Sequence, residues 1–484
     1  MSATSLPSVS DQVTGVSTSD LHHADRASVL HPSTSITDFA SGKLPSTIVD
    51  SASGVRIRDT EGHELIDAFA GLYCVNIGYG RTEVADAIAR QAHQLAYYHT
   101  YAGHSTEELI RLSDRLVKMA PISNGGVPMQ RVFYGTSGSD ANETNAKLVW
   151  YYHNLIGKPK KKRIIARDRA YHGNTVMAGS MTGLNFYHNF MDLPVSAILR
   201  TGAPHHYWGA NPGETEEQFS QRRATELEAL IVREDPETIG AFIGEPVLGT
   251  GGLIPPPAGY WSAIQAVLRK YSILLIADEV ITGFGRTGRM FGSQLYDIQP
   301  DLITIAKGLT SAYAPLSGVI VGERIYKAME AGSAEAGVFP HGYTYTGHPI
   351  AVAAANANLD ILERENLTQN AAETGAYMLG ALHDAFDGLP ITGEVRGVGL
   401  MLAVEFVADP ATKQRLDPAL KVAYRISALA REKGLITRAM PQSEALGFAP
   451  PLVLTRSEAD QIVEIAAAST RQIVDELARE GKLA

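Results

Sequence analysis

Between residues 131 and 321 the chain alternates short, largely apolar runs with longer stretches in which apolar residues return every three or four positions. The runs fall at 131–134, 163–166, 241–245, 273–278, 302–306 and 317–321. Continuous apolar runs of this length predict strands buried on both faces, and the 3.6-residue spacing between them predicts helices. Their alternation predicts an α/β fold with a mostly parallel sheet covered by helices. Residues 55–67 read as a hairpin turning at Glu61-Gly62. Helical patterns over 351–365 and 370–386 precede short strands near 391–398 and 400–406. The expected organisation is a disordered or partner-draped tail over 1–20 and a large domain over 81–345. A smaller α+β domain would be built from 21–80 and 346–484. The proline-rich Ile254-Pro255-Pro256-Pro257 reads as a connector.

Of the charges at the ends of these runs, two stand on successive predicted strands. The first closes as Ala277-Asp278-Glu279-Val280 and the next as Ala306-Lys307-Gly308. An acid and an amine at the ends of neighbouring parallel strands share the crevice in which open α/β sheets bind ligands. Pyridoxal phosphate needs that pair, a lysine for its aldehyde and an acid to keep its ring nitrogen protonated. The plainer alternative is a helix cap at Asp278 and a solvated strand end at Lys307. Ser137-Gly138-Ser139 leads into a helical pattern with Ala141, Leu148, Tyr152 and Leu155 on one face. Free backbone N–H groups and serine hydroxyls there suit a phosphate. The helix dipole adds only about 0.3–1 kcal/mol, so the hydrogen bonds must do most of the holding. An ordinary N-cap is the alternative. Tyr171-His172-Gly173 offers an aromatic ring at another strand end, as a flat cofactor requires. The hydroxyl-rich loop from Phe339 to Pro349 is a further candidate phosphate contact.

In this order Ser137-Gly138-Ser139, Tyr171-His172-Gly173, Gly244-Glu245-Pro246, Asp278-Glu279-Val280, Thr282-Gly283-Phe284-Gly285-Arg286-Thr287-Gly288, Ala306-Lys307-Gly308 and His341-Gly342-Tyr343-Thr344 form one series. The series resembles the class III, or omega, aminotransferases of the fold-type I pyridoxal-phosphate enzymes, most of all the transaminases that pass amino groups from amines or omega-amino acids to pyruvate. The resemblance runs from about Asp59 to the last helix. It implies a seven-stranded sheet sandwiched by helices and a homodimer, or a tetramer, with shared active sites. It also implies a role for each matching residue. Lys307 would hold the cofactor aldehyde as a Schiff base, and Asp278 would pair with the pyridine nitrogen. Val280 and Tyr171 would cover the two ring faces. Ser137, Gly138 and Ser139 would bind the phosphate, with Thr344 reaching it from the partner subunit. Glu245 would orient the surroundings, and Tyr343 would contribute through its backbone.

Three positions depart from the family pattern: Asp140 stands where Glu is usual, Leu248 where a polar residue often follows, and Tyr73 where Trp is frequent. They bear on substrate range. Tyr73 and Tyr171 would flank the reacting centre. Arg438 matches the mobile arginine that pairs with a substrate carboxylate, a role its planar fork suits. The implied chemistry is a ping-pong exchange in which a small-molecule amine donor is emptied before a keto-acid acceptor is filled.

The net charge of −10 argues against nucleic-acid and anionic-membrane partners. Cys74 is the single cysteine, so no intrachain disulfide can form and no cysteine-rich metal site exists; no metal is expected. The first twenty residues lack the charged start and apolar run of a signal peptide. No stretch reaches the length of a membrane span. These features predict a cytoplasmic protein. The basic run Lys158-Pro159-Lys160-Lys161-Lys162-Arg163 reads as a solvated turn. Gly283-Phe284-Gly285-Arg286-Thr287-Gly288 satisfies a dinucleotide-binding pattern, with Asp301 at ribose distance, but no long helical pattern follows it. An NAD-dependent dehydrogenase is therefore the distant alternative. An aminomutase, racemase or decarboxylase of the same fold is the nearer one. His205-His206-Tyr207-Trp208 reads as a loop lining rather than a metal site.

Overall fold

The computed structural model describes residues 17–483. The expected tail falls mostly on residues 1–16, outside the described residues. Ser17 caps a helix over Thr18–Ser28 and accepts the Asp20 N–H, so positions 18–20 are helical.

At the N-terminal end, β1 (Val49–Ser53), β2 (Arg56–Asp59) and β3 (Glu64–Asp67) form an antiparallel meander. The β2–β3 turn is set by Asp59, whose carboxylate accepts the N–H groups of Glu61 at 3.0 Å and His63 at 2.9 Å.

The central sheet has seven strands: β4 (Met129–Gly135), β5 (Arg163–Arg167), β6 (Ile198–Thr201), β7 (Ile239–Gly244), β8 (Leu274–Asp278), β9 (Leu302–Ile305) and β10 (Ser317–Gly322). Their spatial order is β4-β10-β9-β8-β7-β5-β6. Only β10 runs antiparallel to its neighbours, so the carboxyl ends of the other strands share one edge. Every residue of β7 to β10 is buried, which is why those strands read as largely apolar runs. β6 was not expected: it is a four-residue edge strand whose apolar signal is only Ile198 and Leu199 before Arg200 and Thr201.

Beyond the large sheet, β11 (Thr392–Val398), β12 (Met401–Phe406), β14 (Arg438–Ala439) and β15 (Ala445–Phe448) form a third, antiparallel sheet. β13 (Leu435–Ile436) instead joins β3 in parallel, with Leu435 opposite Ile66, so the two chain ends share a sheet. Thr437 alone separates β13 from β14, and Arg438 therefore sits where the chain passes from one sheet to the other.

The basic run is not wholly a solvated turn. Lys161 is buried, and its Nζ donates to the carbonyls of Pro236 (2.9 Å), Ile239 (3.1 Å) and Tyr271 (3.2 Å). Three carbonyl dipoles stand in for water around that ammonium. The dinucleotide reading fails on position. Asp301 accepts the Leu275 N–H at 2.9 Å and pairs with Arg324 at the amino end of β8, the end of the sheet opposite Asp278. Among the described residues no helix is long and apolar enough to cross a membrane.

Candidate active site

Where the parallel strands run out, a cavity of about 150 Å³ is lined by Gly138, Ser139, Tyr171, Glu245, Asp278, Val280 and Lys307, among others. Residues more than 160 positions apart meet there because β4, β5, β7, β8 and β9 all deliver their carboxyl ends to one edge.

Asp278 closes β8 and is almost fully buried. Its Oδ2 accepts from His172 Nδ1 at 2.7 Å and Asn142 Nδ2 at 2.8 Å, and its Oδ1 accepts the Val280 N–H at 3.1 Å. Asn142 is fixed in turn by Asn145 Nδ2 at 3.0 Å and Thr304 Oγ1 at 2.8 Å, both donating to its Oδ1. The sequence reading gave no role to His172 or Asn142. The available signal was polar residues, Asn142 and Asn145, on the inward side of a helix beside the apolar stripe through Ala141.

Lys307 has φ +44°, a left-handed conformation that a lysine holds only under constraint from its surroundings. The next residue must be glycine, since a Cβ at 308 would lie 2.4 Å from Asn76 Nδ2. The Lys307 ammonium is 5.5 Å from the centre of the Tyr73 ring. Burial pushes its pKa below the ordinary lysine range, and Cys74, Asp278 and Glu245 offset part of that. A lysine shifted this way is more often a neutral amine, the nucleophilic and basic form.

The anion end is the start of the helix Gly138–Leu155. Ser137 is its N-cap: the Ser137 Oγ accepts the Asp140 N–H at 3.2 Å, and the Asp140 carboxylate accepts the N–H groups of Ser137 (3.1 Å) and Thr136 (2.8 Å). The cap uses the Ser137 Oγ as an acceptor, and Ser137 does not border the cavity. The N–H groups of Gly138 and Ser139 have no intrahelical acceptor and are free to bind an anion. Packing is tight at Gly138 and closed to any side chain at Gly173. A Cβ at 138 would lie 3.1 Å from Val280 Cγ2, and one at Gly173 would lie 2.4 Å from Ser139 Oγ. Glu245 is buried and accepts the N–H groups of Tyr171 (3.2 Å) and Gly249 (2.8 Å). Burial pushes its pKa up, against the pull of His172 and Arg167. Burial likewise pushes the Tyr171 phenol up to about 12.

Tyr73 ends a run of four residues with positive φ, Ala70 (+47°), Gly71 (+53°), Leu72 (+71°) and Tyr73 (+65°). Asp67 holds that turn by accepting the N–H groups of Phe69 (2.9 Å) and Gly71 (2.7 Å). The Tyr73 ring packs 4.4 Å from that of Phe69, and the Arg438 guanidinium lies 5.5 Å from the Phe69 ring centre. Among the described residues Arg438 has no ion-pair partner. Thr344 stands apart: it is exposed, its carbonyl accepts from Tyr97 Oη at 2.7 Å, and it does not border the cavity within one chain.

An acid backed by two donors, a buried amine, an aromatic ring and a free helix start around one cavity fit pyridoxal phosphate by the chemistry of their donors. The comparisons agree. Residues 39–469 match the family model for class III aminotransferases. An uncharacterised aminotransferase of Sinorhizobium fredii is 63% identical over 464 residues, covering 96% of this chain and 98% of that protein. The diaminobutyrate–2-oxoglutarate transaminase of Halomonas elongata is 54% identical over 466 residues, covering 96% and 98%. Among solved structures, the omega transaminase of Pseudomonas jessenii in complex with PMP superposes with a TM-score of 0.91. It is 41% identical, and the match covers 95% of this chain and 99% of that one. The chain belongs to the class III aminotransferases, pyridoxal-phosphate enzymes of fold type I that move amino groups between small-molecule amines and keto acids.

Proposed function

We propose that this enzyme takes an amino group from an amine or omega-amino acid and passes it to pyruvate, with Lys307 as its catalytic residue. The observation that carries this reading is the placing of Lys307, Asp278, Gly138 and Ser139 around one cavity. Bound pyridoxal phosphate supplies the electron sink. Lys307 holds the cofactor and, once displaced by the donor, moves a proton to and from the substrate carbon. Asp278 keeps the ring nitrogen charged, backed by His172 and Asn142. Gly138 and Ser139 take the phosphate, while Val280 and Tyr171 flank the ring. Arg438, free of an internal carboxylate, receives that of the keto acid. The 54% identity to a transaminase named for 2-oxoglutarate makes that keto acid the second candidate acceptor.

A homodimer is part of this reading. Thr344 lies outside the cavity of its own chain, and nearby Tyr101, Ile110, Phe133, Val338 and Phe339 border an open groove of about 1030 Å³. A second copy seated there would cover that groove and bring Thr344 to the neighbouring cavity. Sedimentation at the mass of a single chain would remove the dimer. The single cysteine, half-buried and unpaired, supports placement in the cytoplasm.

Transfer is separated from racemisation, mutation or decarboxylation by supplying an amine with and without pyruvate. Amine consumption should require the keto acid; consumption independent of it would contradict transfer. Arg438→Ala is expected to lower kcat/KM for pyruvate about 10- to 100-fold, the worth of a charge-assisted pair, and that for a simple amine less than about twofold. Equal losses for both substrates would remove the carboxylate role.

A further inference from the structure

His205 and Trp208, which the sequence left as loop lining, meet a buried charge cluster on the third sheet. His205 Nε2 bonds Glu394 Oε2 at 3.1 Å, and Trp208 Nε1 donates to Glu405 Oε1 at 2.9 Å. Between the two carboxylates lies Arg396, which is 7% exposed. Its Nη1 donates to Glu394 at 2.7 Å and its Nη2 to Glu405 at 2.8 Å. The same guanidinium donates twice more, from Nε at 3.1 Å and Nη2 at 2.7 Å, to the carbonyl of Gly252. None of these residues borders the Lys307 cavity.

Gly252 belongs to a tight loop, residues 249–253, closed at its base by a pair of hydrogen bonds between Leu248 and Ile254. On its inner side, the Gly249 N–H holds the Glu245 carboxylate at 2.8 Å. Leu253 packs in one apolar cluster with Phe69, Tyr73 and Met440. On its outer side, Arg169 Nε donates to the Gly251 carbonyl at 2.8 Å. The loop has no slack. A Cβ at Gly251 would lie 1.9 Å from the Arg169 carbonyl, and one at Gly249 would lie 2.4 Å from Ile281 Cδ1. A shift of Gly252 therefore moves Glu245 and the Tyr73 wall together. Buried ion clusters of this kind contribute little net stability, because desolvation offsets their attraction. What this one supplies is a fixed position for a backbone carbonyl.

We propose that Arg396, clamped between Glu394 and Glu405, is a positioning residue that sets the substrate pocket by fixing the 249–253 loop through Gly252. The proposal rests on the reading of the Lys307 cavity as the active site. Lysine cannot reproduce four donations from one planar fork. Arg396→Lys is therefore expected to raise KM for the amine donor about tenfold while leaving kcat per cofactor-loaded site within about twofold, the signature of lost ground-state binding. Cofactor content should stay at the wild-type level, because Lys307, Asp278 and Gly138 lie off the loop.

Trp208→Phe, which removes only the indole donor to Glu405, should raise the same KM about threefold. It decides the question alone if Arg396→Lys does not fold. A wild-type KM in the folded variants, with only the melting temperature lowered, would overturn the proposal and leave the cluster a structural tie. Failure of the underlying active-site reading would show separately, as wild-type protein whose cofactor is bound away from Lys307.

Discussion

Lys307→Ala is expected to lower the transamination rate about ten-thousandfold or more, because it removes both the covalent attachment and the proton carrier at the substrate carbon. Among the described residues Lys307 is the only lysine bordering the cavity, and none of the others there offers an amine to replace it. The variant should fold: the side chain makes no hydrogen bond that supports another element, and alanine leaves the surrounding apolar packing in place. Single-turnover rates with a saturating amine, measured at equal cofactor occupancy, provide the check. A rate within tenfold of wild type would contradict the assignment.

The second large effect is expected at Asp278. Asp278→Asn keeps the shape but loses the charge, and it sets an amide where His172 Nδ1 and Asn142 Nδ2 both donate to a single oxygen. Removing one member of a buried charge arrangement costs about 3–5 kcal/mol, which is roughly 150- to 5,000-fold if it appears in the rate. The loss should fall on kcat at saturating cofactor, since the ring nitrogen is no longer held protonated. A thermal melt on the same sample separates this from unfolding. A wild-type kcat in a folded variant would show that Asp278 acts only as a structural acceptor.

Asp278 and Lys307 stood out as candidates because both lie where buried strands run out. Where every position of β8 and β9 is enclosed, the run is apolar but for Thr304, and the charge at its end stands out. The candidate phosphate end showed in Gly138 and Ser139 as small residues before a helical period, a pattern an ordinary N-cap also gives. Ser137 matched the same motif, yet its Oγ accepts the Asp140 N–H as the helix cap, a contact that depends on the rotamer of Ser137 rather than on spacing.

The supports behind these residues were not legible. His172 meets Asp278 across 106 positions and Asn142 meets it across 136, and only the completed sheet brings them together. Lys161 looked like one more lysine in a basic run, because nothing local announces three carbonyls arriving from residues 236 to 271. β6 was missed for the opposite reason. An edge strand has one neighbour and a solvated flank, so two apolar residues suffice where an inner strand needs four or five. Arg396 reads as an ordinary charge in a half-buried strand until Gly252, 144 positions away, takes its two donations.

The most direct measurement is chemical trapping of the attachment point. Purified enzyme carrying its visible cofactor band is treated with borohydride, digested, and its peptides weighed. The expected result is loss of the band and a single peptide carrying the added pyridoxyl mass on Lys307. The same mass on a different lysine, or no modified peptide from fully active enzyme, would contradict the placing of this site.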